Sequence, residues 1–482
     1  MTQPAASFRD PAGSCCVIGQ RVLRGLASDS ASQVEAFLQT PCARRLADRG
    51  QMVSTRRLEP GEVASIRNSA GWPALVAEGP LTAFFEHERI PFRSYPYEWP
   101  PEMLWAAGHL TLELAQASLA DGYGLKDATP YNLLFRGPEP VFIDVPSFEP
   151  RAPGDPVWLP YAQFVRTFLL PLLANRRWGI RLADVFATRR DGLEPEEVYR
   201  LCGPLERFSP RVLALVSMPT WLRGRARAKG AQIYEQRTFS DPEKAQFILQ
   251  SLLNRLRRAL NSVAPRPVQD SVWSGYMACN SYSAPAFAAK EQFINEVLKD
   301  AKPQRVLDVG ANTGHFSLCA AKAGARVVAI DSDTACVGAL WRRVRDQHLN
   351  VLPLVMDLAR PSPALGWCNH ECPSFLERAT SSFDCVLMLA VIHHLLVTER
   401  IPLEEILRLA AALTTDILVV EFVAPDDEMF RQLVRGRAHL HSSLTEASFE
   451  AACGAHFGIV RSLALPGTRR RLYALKRKAG AQ

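Results

Sequence analysis

The chain of 482 residues lacks several features that mark whole classes of protein. No apolar run approaches the roughly 18 residues of a membrane-spanning helix, and the first residues lack the basic stretch and apolar core of a secretion signal. The eleven cysteines are an odd number without framework spacing, which favours free thiols in a reducing compartment over a disulfide scaffold. We therefore expect a cytoplasmic protein that does not enter a membrane.

A strong excess of one charge is also lacking. The net charge of +7 is modest for this length. Basic residues cluster at 221–229, 255–258 and 469–478, but no RNA-binding motif or interleaved aromatic stripe accompanies them. We interpret the clusters as solvated faces and expect no nucleic-acid partner. The sequence carries no signal for an oligomeric state.

The length exceeds what one hydrophobic core usually supports, which predicts two or three domains. Residues 1–95 form an N-terminal α+β region without a clear pattern, and residues 96–265 are predicted to be mostly helical. Within them we predict a buried helix at 103–119, a hairpin at 133–145 and an amphipathic helix at 242–260. A proline-marked stretch then separates residues 266–482 from the rest of the chain.

Helical and strand periods alternate in this C-terminal domain. Such alternation of helices with apolar, β-branched strands implies a parallel sheet covered on both faces, so the fold class is α/β. Two final strands read as an antiparallel hairpin at the sheet edge. The predicted strands are 305–309, 326–330, 351–355, 383–389, 417–422, 457–465 and 470–475.

The first of these strands leads into a glycine turn. Val306-Leu307-Asp308-Val309 is followed by Gly310-Ala311-Asn312-Thr313-Gly314 and a helix, so backbone N–H groups approach a ligand at the helix N-terminus. The spacing differs from the Gly-x-Gly-x-x-Gly that seats a dinucleotide, which disfavours a dehydrogenase. The predicted cofactor residues here are Asp308, Gly310, Asn312 and Gly314.

The next strands also end in cofactor-binding residue types. Asp331, with Ser332 beside it, ends the second strand, where a carboxylate can accept hydrogen bonds from both ribose hydroxyls. Asp357 and Leu358 follow the third strand and can hold an adenine amino group beside apolar contacts. The fourth strand supplies Leu387-Met388-Leu389-Ala390 to line the pocket. The pattern predicts a cofactor with a nucleoside part.

These motifs, in this order, resemble the class I S-adenosylmethionine-dependent methyltransferase family over about residues 273–482. The resemblance implies S-adenosylmethionine as cofactor and a Rossmann-like seven-stranded sheet of order 3-2-1-4-5-7-6 with an antiparallel last strand. Asn312 stands where many members have glycine. A looser resemblance to NoeA-like methyltransferases covers the chain and implies methyl transfer; it rests on Leu352-Pro353-Leu354, Pro361-Ser362-Pro363, Gly366-Trp367, Ala390-Val391-Ile392-His393-His394-Leu395 and Glu421-Phe422-Val423.

Methyl transfer from a sulfonium is an in-line displacement, which positioning of the acceptor about 3 to 3.5 Å from the methyl carbon can promote. His393 and His394 follow the fourth strand, and either could take a proton from the acceptor; the alternative is a structural helix start. Glu421 and the acidic run 426–428 follow the fifth strand and could orient an acceptor, although solvation explains the run equally well. The predicted acceptor is a small molecule, a glycan or a natural-product intermediate.

The segment Trp367-Cys368-Asn369-His370-Glu371-Cys372 offers four potential metal ligands. Ligands this close along one chain rarely make a tetrahedral site without a second cluster, and the sequence shows none, so no metal is predicted. We expect this insert between the third and fourth strands to form part of the substrate wall, with Trp367 packed there.

Asp127 and Asn132, followed by the strand-end Asp144, resemble the catalytic loop of the protein-kinase-like and aminoglycoside-phosphotransferase-like superfamily over residues 100–175. Leu125 replaces the usual histidine, no glycine-rich phosphate loop is apparent, and the first lysine of the chain is Lys126, so the usual ATP-binding lysine cannot exist.

The resemblance thus implies a degenerate kinase-like module that binds nucleotide or substrate, unless an arginine substitutes for the lysine. One alternative is a bifunctional enzyme that also binds Mg-ATP and phosphorylates or adenylates a substrate. Others are turn-capping roles for the polar residues and a non-enzymatic scaffold. The leading hypothesis remains a methyltransferase whose N-terminal domain positions the acceptor.

Overall fold

The computed structural model describes residues 13–69, 72, 81–227, 239–266, 282–434, 441 and 443–479, with the backbone alone at 223–227. The chain divides into two compact units. Unit 1 comprises Met1–Arg266 and Ala364–Cys372, and unit 2 comprises Pro267–Pro363 and Pro373–Gln482. Residues 364–372 therefore belong to unit 1, although the residues before and after them in the sequence belong to unit 2. No described helix has the length and apolar character needed to cross a membrane.

In the residues that the structure describes, unit 1 begins with a four-stranded antiparallel sheet of order β1-β2-β4-β3 and three helices. The strands are short, and β3 is polar, which explains why periodicity predicted no individual element here. The mixed composition nevertheless agrees with the predicted α+β region. The elements are β1 Gly13–Ile18, β2 Arg21–Leu26, α1 Ser28–Leu38, α2 Pro41–Asp48, β3 Thr55–Arg57, α3 Pro60–Ile66 and β4 Ala83–His87.

A long helix and two small sheets follow. Helix α4, Pro101–Ser118, is buried along most of its length, which confirms the predicted helix. The predicted hairpin is also confirmed, because β6 and β7 pair antiparallel across a turn in which Gly137 has φ +57°. Strands β5 and β8 also pair antiparallel. Their bounds are β5 Tyr123–Leu125, β6 Leu133–Arg136, β7 Glu139–Phe142 and β8 Phe148–Pro150.

The described residues between 161 and 266 are mostly helical. The predicted amphipathic helix is confirmed as α11, Pro242–Ser262, whose apolar face repeats every three or four residues through Leu249, Leu253, Leu256 and Leu260. Its N-terminus is capped by Asp241, which accepts from the backbone N–H groups of the first turn. The preceding helices are α5 Tyr161–Phe164, α6 Leu170–Trp178, α7 Leu182–Phe186, α8 Pro195–Leu201, α9 Pro210–Val212 and α10 Met218–Arg227.

Unit 2 contains a seven-stranded sheet of order β11-β10-β9-β12-β13-β15-β14, and numbered within the sheet this order is 3-2-1-4-5-7-6. Strand β15 runs antiparallel to both of its neighbours, whereas the first five strands are mutually parallel. The strands are β9 Arg305–Val309, β10 Arg326–Asp331, β11 Val351–Val355, β12 Phe383–Met388, β13 Thr414–Val423, β14 Phe457–Ala464 and β15 Arg470–Arg477.

Helices accompany this sheet along the chain, as the alternating pattern predicts. The central strands are apolar and buried, because helices cover a parallel sheet on both faces. The carboxyl ends of β10, β9 and β12 meet at one edge, where the chain order reverses and a crevice opens. The helices are α12 Ala284–Ala301, α13 His315–Lys322, α14 Thr334–Asp346, α15 Phe375–Ala379, α16 Ile392–Val397, α17 Leu403–Leu413, α18 Glu428–Val434 and α19 Glu446–Cys453.

Candidate active site

A cavity of about 280 Å³ lies at this edge of the sheet in unit 2. Eight of the predicted site residues line it: Gly310, Asn312, Asp331, Ser332, Asp357, Leu358, Leu389 and His394. Ala390, which was expected to line the pocket beside Leu389, does so as well. Seven further lining residues were not predicted: Val309, Ile330, Met356, Val391, Leu395, Thr398 and Glu399. The predicted residues that do not line the cavity are Asp308, Gly314, Leu387, Met388, His393 and Glu421.

The turn after β9 brings backbone to the cavity wall. The N–H groups of Gly310 and Ala311 both donate to the carbonyl oxygen of Ile330, at 2.9 and 3.0 Å. Gly310 has φ +70°, and a Cβ there would lie 2.5 Å from Cγ2 of Val391, which also lines the cavity. Gly314 caps α13, where a Cβ would collide with Leu340. The two glycines therefore permit the close approach of Val391 at the cavity wall and the close packing of Leu340 against α13, respectively.

Asp308 supports the turn from behind. Its buried carboxylate accepts a hydrogen bond of 2.5 Å from the hydroxyl of Ser317 on α13. Burial raises the pKa of Asp308 to about 7, although this hydrogen bond acts in the opposite direction. The carboxyl thus ties the end of β9 to the helix that follows the turn.

Backbone N–H groups fix the positions of both carboxylate oxygens of Asp331. One oxygen accepts from the N–H of Asn312 at 2.8 Å, and the other accepts from the N–H of Asp333 at 2.9 Å. Burial raises the pKa of Asp331, and these N–H groups oppose that shift. Each carboxylate oxygen has a second lone pair, so the group can still accept hydrogen bonds from two hydroxyls.

Asp357 lies at the rim of the cavity. Its oxygens accept from the N–H of Ala359 at 2.9 Å and from the guanidinium of Arg360 at 3.0 Å. Arg360 also donates to Glu399, another lining residue, at 2.6 Å. The carboxylate is therefore fixed beside the apolar side chain of Leu358.

The two predicted histidines occupy different surroundings. The centroids of their two rings are 4.3 Å apart. His394 lines the cavity, whereas His393 is buried and its Nδ1 lacks a hydrogen-bond partner. Burial, with the neighbouring His394, lowers the pKa of His393 to about 3. Burial followed by the charge of Arg470 lowers the pKa of His394. Both imidazoles are therefore neutral near pH 7.

Glu421 is fully buried within a network of charges. It pairs with Lys290 at 2.6 Å, accepts from the hydroxyl of Tyr282, and lies 3.5 Å from Arg470. Arg470 in turn binds Asp427 through two nitrogens, at 3.0 and 3.2 Å. Burial raises the pKa of Glu421, but Lys290 and Arg470 outweigh that effect and lower it overall. Glu421 therefore carries a fully paired charge.

Three members of this network were not predicted: Tyr282, Lys290 and Arg470. The sequence does contain one signal for them. Lys290 falls on the apolar face of α12 between Ala286 and Phe293, both buried, where a lysine needs a buried partner. Its partner cannot be read from the sequence because Glu421 lies far along the chain.

The prediction for Trp367 was wrong. Its side chain is 66% exposed, and the surrounding segment Ala364–Cys372 belongs to unit 1. Cys368 has a positive φ, 51°, in a turn that exposes its side chain. Glu371 of this segment is instead buried and forms an ion pair with Arg190 of unit 1. An ion pair between the buried Glu371 and the half-exposed Arg190 therefore joins the segment to the rest of unit 1, whereas the aromatic ring of Trp367 does not.

Unit 1 brings two of its three predicted polar residues together. The side-chain amide of Asn132 donates to Asp144 at 3.4 Å. The guanidinium of Arg24, on β2, lies 3.0 Å from the other oxygen of Asp144 and is buried. Asp127 is half-buried in the same loop region. Arg24 thus contacts the aspartate at the strand end. No lysine upstream of Lys126 could take this place, because Lys126 is the first lysine of the chain.

Comparison with known proteins identifies relatives of both the domain and the whole chain. The family described as "Methyltransferase domain" matches residues 282–465. The nodulation protein NoeA of Rhizobium meliloti (strain 1021) is 30% identical over 478 residues, which cover 98% of this chain and 96% of the relative.

Among solved structures, magnesium protoporphyrin IX methyltransferase from Synechocystis PCC 6803 with bound SAH is 19% identical, with a TM-score of 0.30, and covers 42% of this chain and 93% of its own. The N-methyltransferase NodS from Bradyrhizobium japonicum WM9 is 14% identical, with a TM-score of 0.31, and covers 40% of this chain and 98% of its own. The chain belongs to the family of the nodulation protein NoeA, and it is an S-adenosylmethionine-dependent methyltransferase.

Proposed function

We propose that this enzyme methylates a small-molecule, glycan or natural-product acceptor in the cytoplasm, with unit 1 recruiting that acceptor. The observation that carries the proposal is the cavity of unit 2. In it, the carboxylate of Asp331, held by a backbone N–H group, lies beside the glycine turn. In this assignment Asp331 binds the ribose hydroxyls, and Asp357 with Leu358 holds the adenine. Gly310 allows the amino acid part of the cofactor to approach the backbone.

The residues of the cavity fit S-adenosylmethionine chemically. Asp331 keeps lone pairs for two hydroxyl donors, and the apolar Met356 and Leu358 can contact an aromatic base. When bound, the cofactor supplies a methyl group on a positively charged sulfur. The chain itself positions both reactants and excludes water, which can account for much of the rate increase without a covalent step.

His394 is the better candidate of the two histidines for a proton acceptor. It lines the cavity, and its lowered pKa keeps the imidazole neutral and able to accept a proton near pH 7. His393 is assigned to support His394 from the buried side. Glu421, whose charge is already paired, is assigned to hold α12 against the sheet instead of touching the acceptor.

The cofactor assignment is tested by calorimetric titration of the full chain with S-adenosylmethionine. We expect micromolar binding that Asp331→Ala weakens by roughly a hundredfold, because two hydrogen bonds to a charged group are lost. Asp346→Ala, which changes an exposed aspartate of the same unit, should bind like the wild type. Absence of wild-type binding, or equal binding by Asp331→Ala, would contradict the assignment.

A second candidate function is favoured by the contact between Arg24 and Asp144. We propose that unit 1 is kinase-like and binds a nucleotide, with Arg24 supplying the positive charge that a lysine usually supplies. Asn132 and Asp144 would hold its magnesium ion, and Asp127 would face the acceptor. Phosphorylation or adenylation of a substrate is the corresponding activity.

This second function is tested with a fluorescent ATP analogue and magnesium. We expect saturable binding that is lost in Arg24→Ala and in Asp144→Ala but retained in Arg57→Ala, which changes an exposed arginine of the same sheet. Binding that needs neither Arg24 nor Asp144 would contradict it. The result is independent of the cofactor titration, because the two sets of residues lie in different units.

A further inference from the structure

Three side chains of metal-ligand type meet between helices α12 and α13 of unit 2. Glu291, His315 and Cys319 each offer one ligand atom, and these atoms all lie within 4.8 Å of one another. Nε2 of His315 lies 3.4 Å from Oε1 of Glu291. That nitrogen is buried, and its contact with Glu291 lacks hydrogen-bond geometry. The imidazole therefore points into the cluster.

The helices explain how the three groups converge. His315 and Cys319 are four residues apart on α13, so they lie one turn apart on the same face. Glu291 comes from the neighbouring helix α12. The ring of Phe287 packs edge-on against His315, with centroids 4.9 Å apart, and limits its rotation. The ligand set is thus assembled from two elements that the fold already holds together.

We propose that Glu291, His315 and Cys319 bind a divalent transition metal ion of the zinc type, with water at a fourth position. An imidazole nitrogen, a thiolate and a carboxylate oxygen are the donors found in tetrahedral zinc sites, and the sulfur disfavours magnesium and calcium. Deprotonation of Cys319 would release its proton to solvent as the metal–sulfur bond forms. The ion itself undergoes no redox change.

The distances permit this site with small movements. Zinc bonds of about 2.0 to 2.3 Å place tetrahedral ligand atoms roughly 3.3 to 3.8 Å apart. The cluster must therefore contract by about 1 Å at its widest. Glu291 can supply that movement, because its side chain is 40% exposed and free to change rotamer at the helix surface.

Metal binding here would act on the cofactor site indirectly. His315 is the first residue of α13, directly after the turn that contains Gly310 and Asn312, two residues of the cavity wall. A bridge from α13 to α12 would therefore stabilise the turn in its folded conformation. The sequence prediction of no metal considered clusters along the chain, whereas these ligands come from separate helices.

The test uses the full chain, stripped of metal and titrated with cobalt(II) as the probe. Thiolate ligation gives cobalt a charge-transfer band, and tetrahedral coordination gives intense visible bands. We expect saturation at one cobalt per chain and displacement of the cobalt by zinc. The band should disappear in Cys319→Ser and remain in Cys368→Ser, a change to an exposed cysteine of unit 1.

Changing a group that hydrogen-bonds to a metal ligand costs roughly 10–100-fold in metal affinity, and loss of a ligand itself should cost more, so His315→Gln should weaken cobalt binding by at least that factor. Thermal unfolding and cofactor binding verify that each variant is folded; if Cys319→Ser fails this check, His315→Gln and Glu291→Gln provide the test. A wild type without a saturable band, or a band unchanged in folded ligand variants, would overturn the site whether or not the methyltransferase assignments hold.

Discussion

Nζ of Lys290 lies 2.6 Å from Oε2 of Glu421, and both side chains are almost completely buried. The lysine belongs to α12 and the glutamate to β13, so this pair joins the helix to an inner strand of the sheet. Taking two charges out of water is costly, and the mutual attraction repays that cost only while both partners remain. We therefore expect the removal of one partner of this buried pair to destabilise the protein more than the removal of a charge from an exposed pair.

Lys290→Met should lower the free energy of unfolding by about 3–5 kcal/mol, because the carboxylate of Glu421 is left with a weakened set of partners in a buried site. Chemical denaturation of the full chain measures this change. The matched control is Arg461→Met, which removes an arginine whose pairs with Glu296 and Asp300 are largely exposed. That control should cost about 0–1 kcal/mol. Equal losses in the two variants would contradict the prediction.

Asp308 should make the stability of unit 2 depend on pH with an unusual sign. Its folded pKa is about 7, above the ordinary value near 4, so the folded state binds the proton more tightly. Its stabilising contribution is complete below about pH 4 and is lost as the pH rises to about 7. Asp308→Asn should remove this decline, as thermal unfolding across the range would reveal, whereas exposed Asp346→Asn should not.

Gly310→Ala should weaken binding of S-adenosylmethionine by roughly tenfold or more, equivalent to at least about 1.4 kcal/mol. The substitution strains a positive φ and pushes Val391 into the cavity wall. Gly467→Ala is a close control, since Gly467 has the same φ of +70° but nothing within 4 Å of an added Cβ. Calorimetry should show normal affinity for that control, and a parallel loss in both variants would point to general destabilisation.

His393→Leu should leave cofactor affinity unchanged and increase stability in acid. The folded pKa of about 3 lies below the ordinary value near 6.5, so the histidine's contribution is complete above pH 6.5 and falls as the pH drops toward 3. Leucine removes both this penalty and the unpartnered Nδ1. Unfolding at pH 7 and pH 5 provides the comparison, and a variant that gained nothing at pH 5 would argue against the buried, neutral imidazole.

The sequence was most informative where apolar periodicity was strong. The predicted bounds of β9 and β11 match the structure, and those of β10 and β12 differ by one residue. Cavity-lining positions at or just after the ends of these strands, such as Asp331 and Asp357, were predicted because strand ends fix their location. Periodicity states which face is buried but not which buried charges pair, so the partners of Lys290 remained unknown. The short strands of unit 1 give too few repeats for the same method.

The passage of residues 364–372 into unit 1 affects how this protein can be divided or recombined. A gene cut at residue 266 would deprive the C-terminal half of Arg190 and leave the otherwise buried Glu371 without its counter-charge. Exchange of either half between relatives would therefore require three crossover points, or a compensating change at position 371. Because a segment of unit 1 lies within the sequence of unit 2, we expect the two units to be inherited together, even if each has its own activity.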